Sequence, residues 1–248
     1  MDHFVASVGV ARTACEIYND ATLSAYYPFD TNGTFNDYSV NLFNGISVGV
    51  TTLSKGRLNQ AIYFPSNISY FQAPCFTSTR LSTFAFTFSL WVNPASLTGG
   101  GSLVHISNSQ NGLTSTCYDL ISFTSTGALV AQWVQGSGVG NATQGPIIPA
   151  NTWTFVAVMF SAANGFRLFI NGQLSSASLN TGGASFNGFD NPQFVTLGTN
   201  NPWGLTTASA CVNGTIPILP GQFIGGVDQF RLYNRELNNQ ELCVLTYI

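Results

Sequence analysis

One acidic residue, Asp228, has a sequence context that gives its side chain chemical significance. It belongs to the segment Val227–Tyr233, whose residues are VDQFRLY. Side chains alternate between the two faces of an extended strand, so Asp228 is predicted to share a face with Phe230 and Leu232. That face is apolar, and an unpaired carboxylate buried there would cost several kcal/mol. We therefore expect Asp228 to point inward and to have a partner, either a calcium ion or backbone amides together with an arginine.

The other ionisable residues form no recognisable catalytic pattern. Glycoside hydrolysis requires two facing carboxylates at close separation. Asp119 and Asp190 are isolated in the sequence, and the glutamates lie outside the predicted central strands, at Glu16, Glu236 and Glu241. His105 has no cysteine or acid beside it in the segment Leu103–Ser107, so we predict a structural histidine rather than a metal ligand or triad member. The sequence therefore predicts a protein without enzymatic activity.

Three tryptophans are candidates for a carbohydrate-binding platform, which needs an aromatic ring beside polar groups: Trp203, Trp133 and Trp91. Trp203 lies in the loop Asn200–Gly204, where a tryptophan is rarely needed for a core. Trp133 has glutamines close to it in sequence. Trp91 lies opposite the phenylalanines of its strand, which would place it on the concave face of a sheet. Ordinary packing remains the alternative for Trp91, and anchoring of the loop remains the alternative for Trp203.

The five cysteines have neither the CxxC spacing nor the clustering of a zinc or redox site, and they predict disulfides. Cys15 precedes the first predicted strand and Cys243 follows the last. Because the terminal strands of a sandwich often lie side by side, we predict a Cys15–Cys243 disulfide. Cys117 and Cys211 form the second predicted pair, which leaves Cys75 unpaired.

Four N-x-S/T sequons are candidate glycosylation sites, at Asn32, Asn67, Asn141 and Asn213. About one residue in five is Ser or Thr, so a similar number of matches would arise by chance. The sequons are compatible with a secreted protein and do not establish secretion.

The bulk composition excludes two classes of protein. Only 7% of the 248 residues are charged, the net charge is −3, and Lys55 is the single lysine. No basic surface is expected that could displace counterions from nucleic acid. The longest apolar runs, such as Trp153–Phe160, are far shorter than the ~20 residues that cross a bilayer. We expect neither nucleic-acid binding nor membrane insertion.

Strand signals separated by Gly, Asn and Pro clusters predict an all-β fold. The clearest are Phe84–Val92, Trp153–Phe160 and Phe223–Tyr233. Asn171–Gly172 favours the two positive φ angles of a type I′ hairpin turn. Near the C-terminus, Asn238 and Glu241 are spaced as the capping box of one short helix. We expect a two-sheet antiparallel jelly-roll β-sandwich over residues 15–248, preceded by an N-terminal extension or arm over residues 1–14.

Several segments, taken in chain order, resemble laminin G-like jelly-roll domains of the concanavalin A-like lectin/glucanase superfamily. They are Leu23–Asp30, Asn36–Ser39, Asn44–Gly45, Gly56–Phe64, Thr87–Pro94, Asn151–Trp153, Phe166–Gly172 and Phe223–Leu242. The resemblance extends from about Leu23 to Leu245. It implies the sandwich fold, but the superfamily includes lectins, laminin G modules and glucanases, so the fold does not fix the function. The Glu-x-Asp-x-x-Glu strand of the related glucanases is absent here.

The resemblance also implies a structural calcium ion, because related domains hold calcium with the aspartate that corresponds to Asp228. The first loop offers further oxygen ligands, and calcium takes six to eight of them: the side chains of Asp30, Asn32 and Asp37 and carbonyls around Asn44 and Gly45. Hydrogen bonding alone remains the alternative for Asp228.

Two functions are compatible with these features. The first is a secreted or extracellular binding module for glycans or glycoconjugates. The second is an adhesive module that binds protein partners or copies of itself, because low charge weakens repulsion between copies and sandwich edges can pair. The apolar residues of the arm Met1–Ala14 would suit strand exchange in such an assembly.

Overall fold

The structure is a computed structural model that describes residues 21–31, 34–66, 68–76, 85–113, 117–134, 140–178, 193–205, 211–212 and 214–247. Residues 1–14, the predicted arm, lie outside these ranges, and the arm stays a prediction. The described residues form antiparallel strands followed by one helix near the C-terminus.

The strands, in chain order, are β1 Leu23–Tyr27, β2 Ile46–Val48, β3 Thr51–Leu53, β4 Ala61–Phe64, β5 Tyr70–Phe76, β6 Phe86–Pro94, β7 Ser102–Ser107, β8 Tyr118–Phe123, β9 Ala128–Val134, β10 Gly140–Ile147, β11 Thr154–Ser161, β12 Gly165–Ile170, β13 Gln173–Ser178, β14 Gln193–Leu197 and β15 Gly225–Tyr233. The helix, α1, extends over Asn239–Tyr247. The three clearest predicted strands correspond to β6, β11 and β15.

The strands form two sheets that pack face to face. The eight-stranded sheet has the order β13-β12-β11-β6-β15-β4-β3, with β1 also paired to β15. The seven-stranded sheet has the order β10-β9-β8-β7-β14-β5-β2. This arrangement confirms the predicted two-sheet jelly-roll sandwich.

The predicted hairpin and helix cap are both present. β12 and β13 pair through Ile170 and Gln173, and the two turn residues Asn171 and Gly172 have φ angles of 50° and 77°. These positive angles are those of a type I′ turn, which matches the twist of the flanking strands. At the helix, the Asn238 side chain accepts hydrogen bonds from the amides of Gln240 and Glu241, each 2.9 Å long. The Glu241 carboxylate accepts a hydrogen bond from the Asn238 amide at 2.9 Å and so completes the capping box.

Two apolar clusters stabilise the sandwich. The larger one fills the space between the sheets and includes Phe88 and Leu90 of β6 and Phe123 of β8. The smaller one lies on the outer face of the eight-stranded sheet, where Leu242 and Leu245 of α1 cover it. Each large apolar side chain fully buried in this way contributes about 1.5–3 kcal/mol to folding.

A β-bulge in β15 makes the predicted orientation of the Asp228 side chain wrong. The register with β6 shifts between Asp228 and Arg231, and Gln229 has a φ angle of 53°. The extra residue reverses the alternation, so Val227 rather than Asp228 shares the inner face with Phe230. Asp228 instead faces the outer side of the eight-stranded sheet.

Candidate binding sites

The Asp228 carboxylate lies beneath the turn between β3 and β4. Its Oδ2 atom accepts hydrogen bonds from the amides of Arg57 at 2.8 Å and Leu58 at 3.0 Å. Gly56 permits this approach, since a Cβ atom there would lie 2.7 Å from the same oxygen. The Arg57 guanidinium lies over the Trp91 ring, 4.4 Å from its centre. The carboxylate is therefore buried as predicted, but under a turn rather than between the sheets.

Burial dominates the protonation of Asp228, which is 0% exposed. Loss of solvent raises the pKa of this carboxyl from 3.8 to about 7, although the amides of Leu58, Arg57 and Gln229 act in the opposite direction. Like-charge repulsion from the nearby Asp30 carboxylate is a smaller contribution to this raised pKa. The site therefore favours a bound proton or a bound cation at neutral pH.

Unpartnered oxygens near Asp228 are the structural test for a cation. Within the described residues, Asp228 Oδ1 and Gln60 Oε1 are buried and accept no hydrogen bond. Gln60 belongs to the same turn, and its amide donates to Asp30 Oδ1 at 3.3 Å. Carboxylate and amide oxygens are ligands that calcium prefers. Asp228, Asp30 and Gln60 therefore fit a cation, with Gln60 as a residue that the sequence patterns did not indicate.

Asp37, by contrast, stabilises the loop that contains it through hydrogen bonds. Its Oδ1 accepts hydrogen bonds from the amides of Tyr26 at 2.9 Å and Ser39 at 2.8 Å. Its Oδ2 accepts from the Ser39 hydroxyl at 2.7 Å and the Phe43 amide at 3.0 Å. The Asn44 side-chain oxygen accepts from the Asp37 amide at 3.1 Å. These bonds replace water around a buried carboxylate and give Asp37 a structural role.

The predicted calcium ligands are therefore only partly brought together. In the parts of the chain that the structure describes, no group of three His, Cys, Asp or Glu side chains with ligand atoms within 4.8 Å of one another includes Asp30, Asp37 or Asp228. The Gly45 amide donates to the Phe35 carbonyl at 2.8 Å, inside the same loop as Asp37. Asn32 lies outside the described residues. Of the predicted calcium ligands, Asp30 and Asp228 are the two whose surroundings fit a cation.

Two of the three candidate tryptophans are buried, which makes their predicted role as platforms wrong. Trp133 is 0% exposed because it faces the other sheet, where its ring centre lies 4.2 Å from that of Phe166. Trp91 does lie opposite the phenylalanines of β6, as predicted, but Arg57 and Phe155 cover it. A ligand has no access to either ring.

Trp203 is 54% exposed and lies on a loop that is held by its own hydrogen bonds. The Asn201 side chain accepts from the Leu205 amide at 3.0 Å and donates to the Leu205 carbonyl at 2.8 Å. The Gly204 amide donates to the Asn201 carbonyl at 3.1 Å. These bonds close a short loop around Trp203, so its ring is presented to solvent by a braced turn.

A second loop lies against the Trp203 loop. A Cβ atom on Gly112 would lie 2.8 Å both from the Asn200 carbonyl oxygen and from the Pro202 ring, so the chains approach closely there. Residues 108–113 of this second loop also cover a row of polar side chains on the outer face of the seven-stranded sheet. Gln72 in that row donates to the Gln110 carbonyl at 2.9 Å. The loops therefore replace the sheet surface as the accessible face.

A disulfide and a buried histidine with two polar contacts hold this covering layer. Cys117 and Cys211 form a disulfide, as the sequence predicted. The amide of Val212 donates to the Cys117 carbonyl at 2.8 Å. His105 is fully buried and contacts Asp119 Oδ1 through Nδ1 at 2.9 Å and the Gly112 carbonyl through Nε2 at 3.0 Å.

Sequence reasoning missed the surroundings of His105. We expected a histidine without an acid or cysteine nearby, yet β7 and β8 pair His105 directly with Asp119. The disulfide sulfurs lie within 4.8 Å of a ring nitrogen of His105. Only the strand register could have revealed these contacts.

The other predicted disulfide, Cys15–Cys243, is not formed. Cys243 has a free and exposed thiol on α1, and Cys15 lies outside the described residues. Of the sequons, Asn141 lies in β10, and Asn32, Asn67 and Asn213 lie outside the described residues.

The described glutamates form ion pairs with arginines. Glu236 pairs with Arg167, and Glu241 pairs with Arg235 at 2.7 Å. Glu16 and Asp190 lie outside the described residues.

Within the described ranges, no helix has the length and apolar character needed to cross a membrane.

The antiparallel jelly-roll sandwich, closed by a short C-terminal helix, defines a lectin-type fold. A laminin G family model, described as the concanavalin A-like lectin/glucanases superfamily, matches residues 66–243, and the chain belongs to this family. Among curated proteins, none matches the sequence.

Solved structures with the same fold include carbohydrate-binding proteins. Domain 4 of AbnA, an extracellular arabinanase from Geobacillus stearothermophilus solved with arabinotriose, is 20% identical with a TM-score of 0.57, and the match covers 91% of this chain and 98% of that one. Botulinum neurotoxin type C, whose cell entry depends on two ganglioside molecules, is 15% identical with a TM-score of 0.62. The match covers 95% of this chain and 52% of that one.

An enzyme is also among these structures. Trypanosoma rangeli sialidase, solved with 2,3-difluorosialic acid, is 15% identical with a TM-score of 0.61, and the match covers 92% of this chain and 33% of that one. The chain thus spans nearly all of the arabinanase domain, about half of the toxin chain and a third of the sialidase chain. Identities this low establish a shared fold and nothing further.

Proposed function

We propose that this chain is a non-catalytic, extracellular glycan-binding module that recognises neutral sugars through Trp203. The observation that carries the proposal is an exposed indole on a braced loop. An indole ring offers a flat apolar surface, and the neighbouring amides and hydroxyls can orient a sugar's hydroxyl groups. Binding of arabinotriose by one similar domain supports the ligand class.

The absence of charge around Trp203 favours a neutral ligand. Residues 108–113 and 199–205, which form the two touching loops, contain no Asp, Glu, Lys or Arg in the sequence. A sialylated or sulfated glycan would find no cation there to pair with its negative charge. The polar residues of these loops are Asn, Gln, Ser and Thr, which bind hydroxyl groups without desolvating a charge.

A glycan array that includes neutral and sialylated arms tests this function. We expect neutral oligosaccharides, with arabino-oligosaccharides as the first probe, to bind, and Trp203→Ala to weaken binding about 30-fold, which corresponds to about 2 kcal/mol. Tyr247→Ala is the matched control, because Tyr247 is a 78% exposed aromatic on α1, outside the two loops. Equal binding by Trp203→Ala and the wild type would refute the proposed site.

A structural calcium ion at Asp228 belongs to the same proposal. Support comes from the two buried oxygens without hydrogen-bond partners and from the adjacent Asp30 carboxylate. Bound calcium would supply positive charge that stabilises both carboxylates and would fix the turn 54–60 to β15. The ion would have no role in sugar chemistry, because Trp203 belongs to the loop that follows β14 of the other sheet.

An apolar edge favours a second function, self-association in an adhesive assembly. Six apolar side chains of the edge strand β2, the loop before it and the loop before β5 are between 42% and 70% exposed: Tyr38, Val40, Leu42, Ile46, Val48 and Ile68. No charged residue occurs between Asp37 and Lys55. An uncharged apolar edge strand such as β2 is a candidate surface for pairing between chains. A protein that stays monomeric in light scattering at all concentrations, with or without Leu42→Asp, would exclude this function.

A further inference from the structure

Three side chains that commonly bind metals converge beneath the covering loops, where neither proposed function uses them. A ring nitrogen of His105 and the Sγ atoms of Cys117 and Cys211 all lie within 4.8 Å of one another. His105 and Cys117 are fully buried. In the structure the two sulfurs are joined as a disulfide, so they do not bind a metal in this state.

The imidazole is oriented in the way that metal sites require. Its Nδ1 atom contacts Asp119 Oδ1 at 2.9 Å, so Nε2 is the nitrogen that would bind the metal. Nε2 points to the Gly112 carbonyl oxygen at 3.0 Å, and the same oxygen lies 3.8 Å from Cys211 Sγ. Metal-binding histidines almost always have their second nitrogen bound to a carboxylate or carbonyl, because this contact fixes the ring.

We propose that reduction of the Cys117–Cys211 disulfide creates a zinc site formed by His105 Nε2 and the two thiolates. Asp119 is the positioning residue, and the fourth coordination position lies beside the Gly112 carbonyl. Zinc bonds of about 2.3 Å to sulfur and about 2.0 Å to nitrogen place tetrahedral ligands about 3.5 Å apart. Ligand atoms that already lie within 4.8 Å need shifts of about an ångström to reach this geometry. Soft thiolate ligands favour Zn²⁺ over Ca²⁺ or Mg²⁺.

The redox step balances with an external dithiol as the reductant. Two electrons from the dithiol break the sulfur–sulfur bond, its two protons convert the sulfurs to thiols, and the dithiol becomes a cyclic disulfide. Zn²⁺ then binds as the two thiols and the histidine Nε2 release their protons. Zinc itself is neither oxidised nor reduced.

The metal would take over the mechanical role of the disulfide. Cys117 precedes β8 of the seven-stranded sheet, and Cys211 precedes Val212, whose amide donates to the Cys117 carbonyl at 2.8 Å. Either a disulfide or a zinc ion would tie the two together, so the covering loops would stay in place in oxidising and in reducing surroundings. This clamp does not depend on whether the chain binds sugars or calcium.

The test uses the full chain, reduced with a dithiol that is then removed under anaerobic conditions. Titration with Co²⁺, a spectroscopic substitute for Zn²⁺, is expected to give a thiolate-to-cobalt charge-transfer band that saturates at one equivalent. Zn²⁺ is expected to abolish the band and to raise the melting temperature of the reduced protein. The oxidised protein should show no such band.

Variants distinguish this site from the other cysteines. Cys243→Ser should leave the band unchanged, because Cys243 is an exposed thiol on α1. Cys211→Ser and His105→Asn should lose it, and Asp119→Asn should weaken metal affinity about 10–100-fold. The oxidised His105→Asn protein, which keeps its disulfide, serves as the check on folding by circular dichroism.

Two results would overturn the proposal. One is a reduced, folded protein whose cobalt spectrum lacks thiolate bands or is the same in His105→Asn. The other is a reduced protein that unfolds and does not regain a melting transition when Zn²⁺ is added.

Discussion

Asp228 makes the stability of the protein depend on pH in a direction opposite to that of most acidic residues. Burial raises its pKa in the folded state from 3.8 to about 7. The folded protein therefore binds a proton more tightly than the unfolded chain does between these pH values. The resulting stabilisation is complete below about pH 3.8 and is lost as the pH rises through about 7.

The size of the effect follows from the two pKa values. A difference of about 3 units at about 1.4 kcal/mol each gives a loss of up to about 4 kcal/mol across this range. Asp228→Asn removes the titration and keeps an oxygen that can accept from the amides of Arg57 and Leu58. Carboxylates that do not interact with Asp228 titrate equally in both proteins, so the difference in free energy of unfolding reports on Asp228 together with its coupling to Asp30.

Urea denaturation of both proteins from pH 4 to pH 8, with chelator and then with calcium, measures this difference. With chelator, we expect the wild type to lose stability relative to Asp228→Asn as the pH rises. With calcium, the proposed ion holds the carboxylate ionised, so the loss should shrink in the wild type and the variant should not respond.

The two parts of this reasoning fail separately. A flat difference between wild type and Asp228→Asn in chelator would show that water reaches the carboxylate and that its pKa is ordinary. A normal pH dependence that calcium leaves unchanged would refute the calcium site while leaving the burial argument intact.

Two further substitutions test the fold and its separation from the site. Trp133→Ala should cost about 3–5 kcal/mol of stability, because it leaves a large cavity between the sheets. Trp203→Ala, at an exposed site, should change stability by no more than about 0.5 kcal/mol. Thermal denaturation of both variants measures the difference, and an equal fall in their melting temperatures would contradict it. Asn238→Ala removes the two hydrogen bonds that cap α1 and should cost about 1 kcal/mol in urea denaturation, with the exposed Gln240→Ala as a control that should be close to neutral.

Local patterns were sufficient to predict the fold. The Asn171–Gly172 turn and the Asn238–Glu241 cap depend on backbone preferences of a few adjacent residues, and both are present. Such patterns could not predict the orientation of the Asp228 side chain. Burial of the carboxylate was predicted, but its direction depends on a bulge at Gln229 that simple alternation does not include.

Contacts between distant residues were beyond sequence reasoning. His105 and Asp119 look isolated along the chain, and they become a pair only through the register of β7 and β8. Trp133 was a candidate platform with glutamines near it in sequence, yet its side of β9 faces the core. Neither result follows from the types of the neighbouring residues, since both depend on which face of a sheet is covered.

The covering of the seven-stranded sheet has a consequence for recognition. Gln72, Thr196 and His105 form a polar row that could otherwise bind a sugar, but each is at most 1% exposed. Gln72 Nε2 donates to Thr196 Oγ1 and to the Gln110 carbonyl, each at 2.9 Å, and His105 Nε2 contacts the Gly112 carbonyl at 3.0 Å. A ligand would have to break these buried bonds to reach the sheet, and each group left without a partner costs about 1–3 kcal/mol. Recognition at the loop surface, where Trp203 is exposed, avoids this cost.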